Sequence, residues 1–95
     1  MNKKLDAKSV ERISKALGEP YRLKIMEEIR KEKDWLACEV IISRFDLAQS
    51  TISHHIKQLV DADLLLAEKE GRNTKYKVNK DVVSAYTNFI NGFGE

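Results

Sequence analysis

The sequence is poor in punctuation and in sulfur: its 95 residues hold one proline, four glycines and one cysteine. Cys38 therefore has no partner for an intramolecular disulfide, and an unpaired thiol points to a reducing, cytoplasmic setting. Long apolar runs are also missing. The longest, Leu64 to Ala67, falls far short of the roughly 20 residues that a membrane-spanning helix needs. The opening stretch MNKKLDAKS carries lysines with no apolar segment behind them, so neither a signal peptide nor a membrane association is expected. No repeat, low-complexity tract or Gly/Pro-rich linker divides the chain, and a single domain over residues 1–95 is expected. A chain this short buries only about 60 to 70% of the surface its unfolded form exposes, so dimerisation would enlarge its core.

The usual signs of catalysis are lacking too. No nucleophile stands with a base and an orienting group, no Gly-rich loop offers a phosphate cradle, and no set of cysteines, histidines and acids has ligand spacing. An enzyme, a metal site and a bound cofactor are not expected. The net charge of +2 is too small to point to a nucleic-acid partner by itself. Its distribution says more. From Lys69 to Lys80 five bases (Lys69, Arg72, Lys75, Lys77, Lys80) face one acid, Glu70, and the rest of the chain is slightly acidic.

Periodicity supplies the elements. Val10, Ile13 and Leu17 recur at helical spacing before Gly18, which predicts a first helix from about Lys4 to Leu17. Pro20 suits the first turn of a second helix, with Ile25, Met26 and Ile29 on one face up to Lys31. Asp34 is placed to cap a third helix carrying Leu36, Val40, Ile41 and Phe45, and Asp46 and Leu47 turn the chain. A fourth helix from Gln49 to Ala62 aligns Ile52, Ile56, Leu59 and Val60. Beyond Asp63 the period shortens toward two: LLLAEK, a Gly71-Arg72-Asn73-Thr74 turn and KYKV predict a two-stranded hairpin. Asn79 then caps a last helix with Val82, Val83, Tyr86, Phe89 and Ile90, and Gly92 and Gly94 end the order.

The expected fold is mainly α, five helices with a two-stranded β-hairpin between the fourth and fifth. A helix pair over 34–62 followed by a basic hairpin over 64–79 is the layout of a winged helix-turn-helix, whose second helix enters the DNA major groove.

The fourth helix contains SHHIK, with two adjacent histidines. With Ile52 set at zero and 100° per residue, Lys57, Ser50, His54 and Gln58 fall at roughly 140° to 240°, opposite the core stripe. His55 falls near about 300°, beside Leu59, where its ring packs and one nitrogen stays wet. Adjacent histidines diverge, whereas metal-binding helices place ligands four apart, so one ion is not held by both. The exposed set Gln49, Ser50, Thr51, Ser53, His54, Lys57 and Gln58 is instead a row of donors and acceptors with no acid before Asp61. Such a row suits base edges and phosphates. A solvated polar face is the plain alternative.

Three segments, in order, resemble the ArsR/SmtB-type winged-helix transcriptional repressors. They are ALGEPYRLKIMEEI (Ala16 to Ile29), DLAQSTISHHIKQLVDADLL (Asp46 to Leu65) and EGRNTKYKV (Glu70 to Val78). The resemblance implies a homodimer joined through the first and last helices and repression at a pseudo-palindromic operator in double-stranded DNA. It would put Gln49, Ser50, Thr51, Ser53, His54 and Lys57 at DNA, with Arg72 and Lys75 on the adjacent backbone or groove.

The sequence departs from the family pattern at its sensor positions. Where metal sensors of the family carry paired cysteines, this chain has Ala37 and Glu39, with Cys38 between them. The last helix has one acid and no histidine. Ala48 stands where the family often has a capping serine. Cys38 is read as a packing residue, with a redox switch as the alternative. A second functional alternative is a winged-helix protein-interaction module, which would call for apolar residues on the exposed face of the fourth helix.

Overall fold

The computed structural model describes residues 5–95. Asp6 opens α1 (Ala7–Leu17), its carboxylate accepting the Ser9 N–H at 2.8 Å. The expected start at Lys4 lies outside the described residues. Glu19 opens α2 (Pro20–Arg30) by accepting the Arg22 N–H at 3.1 Å, with Pro20 in the first turn where no N–H is needed. Next come β1 (Leu36–Ala37), α3 (Cys38–Ser43) and α4 (Gln49–Asp61). The hairpin strands β2 (Leu65–Glu70) and β3 (Asn73–Val78) precede α5 (Lys80–Asn91), which Asn79 caps through the Val82 N–H.

The sheet has three antiparallel strands in the order β1-β3-β2, where two were expected. Leu36 pairs with Tyr76 and Ala37 with Lys75. A two-residue strand has no period to read, and its partner lies some forty residues downstream, so only the tertiary fold reveals it. The same strand displaces the expected helix start. Asp34 caps nothing, and α3 begins at Cys38 after Ala37, which makes no side-chain cap bond.

Isoleucines from four helices meet in the core: Ile13 of α1, Ile25 and Ile29 of α2, Ile41 of α3, and Ile52 and Ile56 of α4. Ala16, Leu36, Leu59, Ala62, Leu64, Leu65 and Val82 complete it. Each such side chain contributes roughly 1.5 to 3 kcal/mol on burial. No polar or charged residue is buried among the described residues.

Two turns set the wing. After α4, Asp63 takes φ +63°, and the Leu64 and Asp63 N–H groups return to Leu59 O and Val60 O at 3.0 and 2.9 Å. That pair of hydrogen bonds closes the helix as a glycine would, with Leu64 and Leu59 both in the core. At the tip the loop is only Gly71-Arg72, since Glu70 already pairs with Asn73. Gly71 has φ +64°, the positive angle that a two-residue hairpin of this type requires at its first central position. The Asn79 N–H to Leu64 O bond, 3.0 Å, ties the root. Gly92 and Gly94 do not end the order as expected: 92–94 continue as a 3-10 turn, and Phe93 meets the Phe89 ring edge-on at 5.2 Å.

Candidate nucleic-acid interface

α4 is fixed from behind by its apolar stripe, with Ile52, Ile56 and Leu59 fully buried. The opposite face therefore has one orientation. Gln49, Ser50, Thr51, Ser53, His54 and Lys57 all lie exposed on it, and Gln58 is half-buried at its edge. Lys57 reaches Asp61 one turn on, at 2.8 Å; both side chains are more than half exposed, so the pair is weak and open to exchange.

The start of α4 is bare. Ala48 caps with no side chain, and its carbonyl takes the Thr51 and Ile52 N–H groups at 3.0 and 3.1 Å. The Gln49 and Ser50 N–H groups have no protein partner among the described residues. Free N–H groups and the positive end of the helix dipole favour an anion there.

The two histidines separate as the helical geometry requires. His54 is exposed. His55 is 12% exposed, accepts the Arg22 Nε–H on Nδ1 at 3.2 Å and stacks on Tyr21 with centroids 6.3 Å apart. Arg22 also donates to Lys15 O, and Glu19, the α2 cap, stands 3.7 Å from the same ring nitrogen. Arg22 and Tyr21 thus lock α4 against α2. Sequence reasoning gave these two residues no role, because the contact spans 33 positions.

The wing divides its bases between two faces. Arg72 is exposed at the tip, and a cleft of about 260 Å³ joins it, with Asn73 and Thr74, to Gln49 at the start of α4 and to Ala37, Cys38, Glu39 and Ile42. Lys75 is not in that group. It lies on the outer sheet face, 3.3 Å from Glu70 and over the Trp35 ring at 5.6 Å, with Lys77 over the same ring at 5.9 Å. Trp35 gives no signal in the sequence, since one aromatic residue in a polar turn carries no pattern.

On the far side, Arg44 after α3 holds Glu28 and Glu32 at 3.1 and 3.0 Å, bracing the turn against α2. Hydrogen bonding to Lys31 first, and to Arg44, holds the Glu28 carboxyl below its ordinary range. No cluster of three or more metal-ligating side chains occurs among the described residues. Cys38 is half-buried; desolvation pushes its thiol up, with a hydrogen bond to Tyr76 pulling the other way. That is opposite to the depressed value of a reactive cysteine.

Known proteins share both sequence and architecture with this chain. A family model described as a helix-turn-helix domain matches residues 17–67. An arsenical resistance operon repressor of Staphylococcus xylosus is 34% identical over 74 residues, 78% of this chain and 69% of that protein. Among solved structures, an ArsR-like transcriptional regulator from Rhodococcus superposes with a TM-score of 0.78 at 17% identity, over 90% of this chain and 79% of that one. A homodimeric winged helix-turn-helix DNA-binding domain from Mycobacterium bovis gives 0.72 at 25% identity, covering all of this chain and 92% of that one. No described helix is long and apolar enough to cross a membrane. On the sequence match and the shared architecture together, the chain belongs to the ArsR family of winged helix-turn-helix DNA-binding transcriptional regulators.

Proposed function

We propose that this regulator is a cytoplasmic, homodimeric repressor that reads a pseudo-palindromic operator in double-stranded DNA with no metal ion as its signal. One observation carries the reading: the acid-free, uncapped start of α4 and the tip base Arg72 open onto a single cleft. In this reading α4 enters the major groove. Gln49, Ser50, Thr51, Ser53 and His54 meet base edges and nearby phosphates, Lys57 leaves Asp61 for a phosphate, and Arg72 follows the backbone. Lys75 joins only by exchanging Glu70, so it contributes less than Arg72. Homodimerisation is supported by the exposed aromatic and apolar end of the chain, Phe89, Ile90 and Phe93, and by the homodimeric relative. Ser14 and Tyr86, whose hydroxyls lie 2.9 Å apart, hold α1 beside α5 for that contact.

Binding to an operator and to unrelated DNA, followed by fluorescence anisotropy across a salt series, tests the reading. His54→Ala is expected to cost about 1 to 3 kcal/mol on the operator and little elsewhere. Arg72→Ala should instead weaken both DNAs and lower the salt slope by about one. Equal losses for His54→Ala on both DNAs would remove it from base readout.

A further inference from the structure

A second basic surface lies away from the α4 face. Between the end of α2 and the root of the wing is a cleft of about 400 Å³ lined by apolar Ile29 and Val78, with Arg30, Lys31, Lys33, Lys77 and Lys80 as its bases and Glu32 as its one acid. Volumes of roughly 300 to 1,000 Å³ are those of small-ligand sites. The acid is already engaged, since Glu32 receives Arg44 at 3.0 Å. Arg30 and Lys31 are likewise held by Glu27 and Glu28. Lys33, Lys77 and Lys80 form no ion pair among the described residues, even though Asp34 and Asp81 adjoin two of them in sequence. Lys77 spans from this cleft to the Trp35 ring.

Three ammonium groups brought from two distant segments around an apolar floor lack a counter-charge. Like charges gathered on one cleft repel and are relieved by a multivalent anion. Lysine meets phosphate as a point charge, without the bidentate geometry that carboxylates draw from arginine. β3 runs from Asn73 beside the wing tip to Val78 at this cleft, about 17 Å at strand rise. The cleft shares no lining residue with the one holding Gln49 and Arg72. The geometry points to a binding site for a small polyphosphate-bearing molecule, held by Lys33, Lys77 and Lys80 and separate from the DNA face.

Trp35 is the sole tryptophan and reports on the site through Lys77. The intact protein is titrated with tripolyphosphate and with ATP, following calorimetric heat and Trp35 fluorescence, against sulfate at equal ionic strength. Saturable binding with a fluorescence change is expected for at least one polyphosphate, and not for sulfate. Lys33→Glu and Lys80→Glu should each weaken it at least about tenfold, while Arg72→Ala leaves it unchanged. Both lysines are exposed, and circular dichroism melts verify that the variants fold; Lys33→Gln and Lys80→Gln should give smaller losses in the same direction. Absence of saturable binding, equal affinity in the cleft variants, or loss on Arg72→Ala would overturn the assignment. So would a fall in ligand-free DNA affinity for Lys33→Glu as large as that for Arg72→Ala, because the cleft would then belong to the DNA path.

Discussion

The helices of this protein start in two different ways. α1, α2 and α5 open on Asp6, Glu19 and Asn79, each of which accepts an N–H of the first turn. α3 and α4, the helix-turn-helix pair, open on Ala37 and Ala48, which cap nothing. A side-chain cap contributes about 1 kcal/mol, so the pair forgoes stability at the ends that border the cleft with Gln49 and Arg72. What holds α4 in place is its buried stripe and the Arg22–His55 contact, not its terminus. Stability and the proposed DNA contact are thus divided between opposite faces of one helix.

The contrast can be broken most severely from behind. Ile52→Ala, at a site with no solvent exposure, should cost about 2 to 5 kcal/mol, measured by urea unfolding, and should weaken all DNA binding with it. A loss below that range would mean that α4 is held elsewhere. A smaller change works from the other end. Asn79→Ala removes the α5 cap and should cost about 1 kcal/mol with DNA affinity per folded molecule retained.

Restoring a cap to α4 sharpens the comparison further. Ala48→Asp should raise stability by roughly 0.5 to 1 kcal/mol, since it accepts a free N–H and complements the dipole. The same charge repels phosphate, so affinity for any DNA should fall while the melting temperature rises. An unchanged affinity would show that no phosphate sits at this terminus. The smallest effect concerns pH. Hydrogen bonds from the Ser9 backbone and then its side chain hold the Asp6 carboxyl below its ordinary value. Its contribution is present above the unfolded carboxyl value and is lost as pH falls through the lowered folded one. Asp6→Asn should therefore flatten the acid limb of a stability-against-pH curve, and an unaltered limb would show that the cap is charge-independent.

Much of this was legible from local pattern. Pro20, Gly18, the isoleucine spacing and a turn at Gly71 mark elements through short-range sterics and period, though the turn is two residues shorter than the expected Gly71-Arg72-Asn73-Thr74, and the outward direction of His54 follows from helix geometry alone. The Asn79 N–H to Leu64 O bond closes the root of the hairpin formed by Leu65–Glu70 and Asn73–Val78. β1 was not legible, and Asp34 suggested a cap it does not provide, because an acid before Trp-Leu-Ala satisfies the local rule while pairing with β3 overrides it.

The sequence by itself determined the helix periods, the basic hairpin and the lack of a cysteine pair, since each depends on residues within a few positions of one another. Only the tertiary structure decided that His55 accepts from Arg22, that Arg72 shares a cleft with Gln49 while Lys75 is turned to Trp35 and Glu70, and that Lys33 lines one cleft with Lys77 and Lys80. The physical reason is chain separation: these contacts form between elements whose side chains carry no common period, and they exist only once the isoleucine core has set the elements against each other.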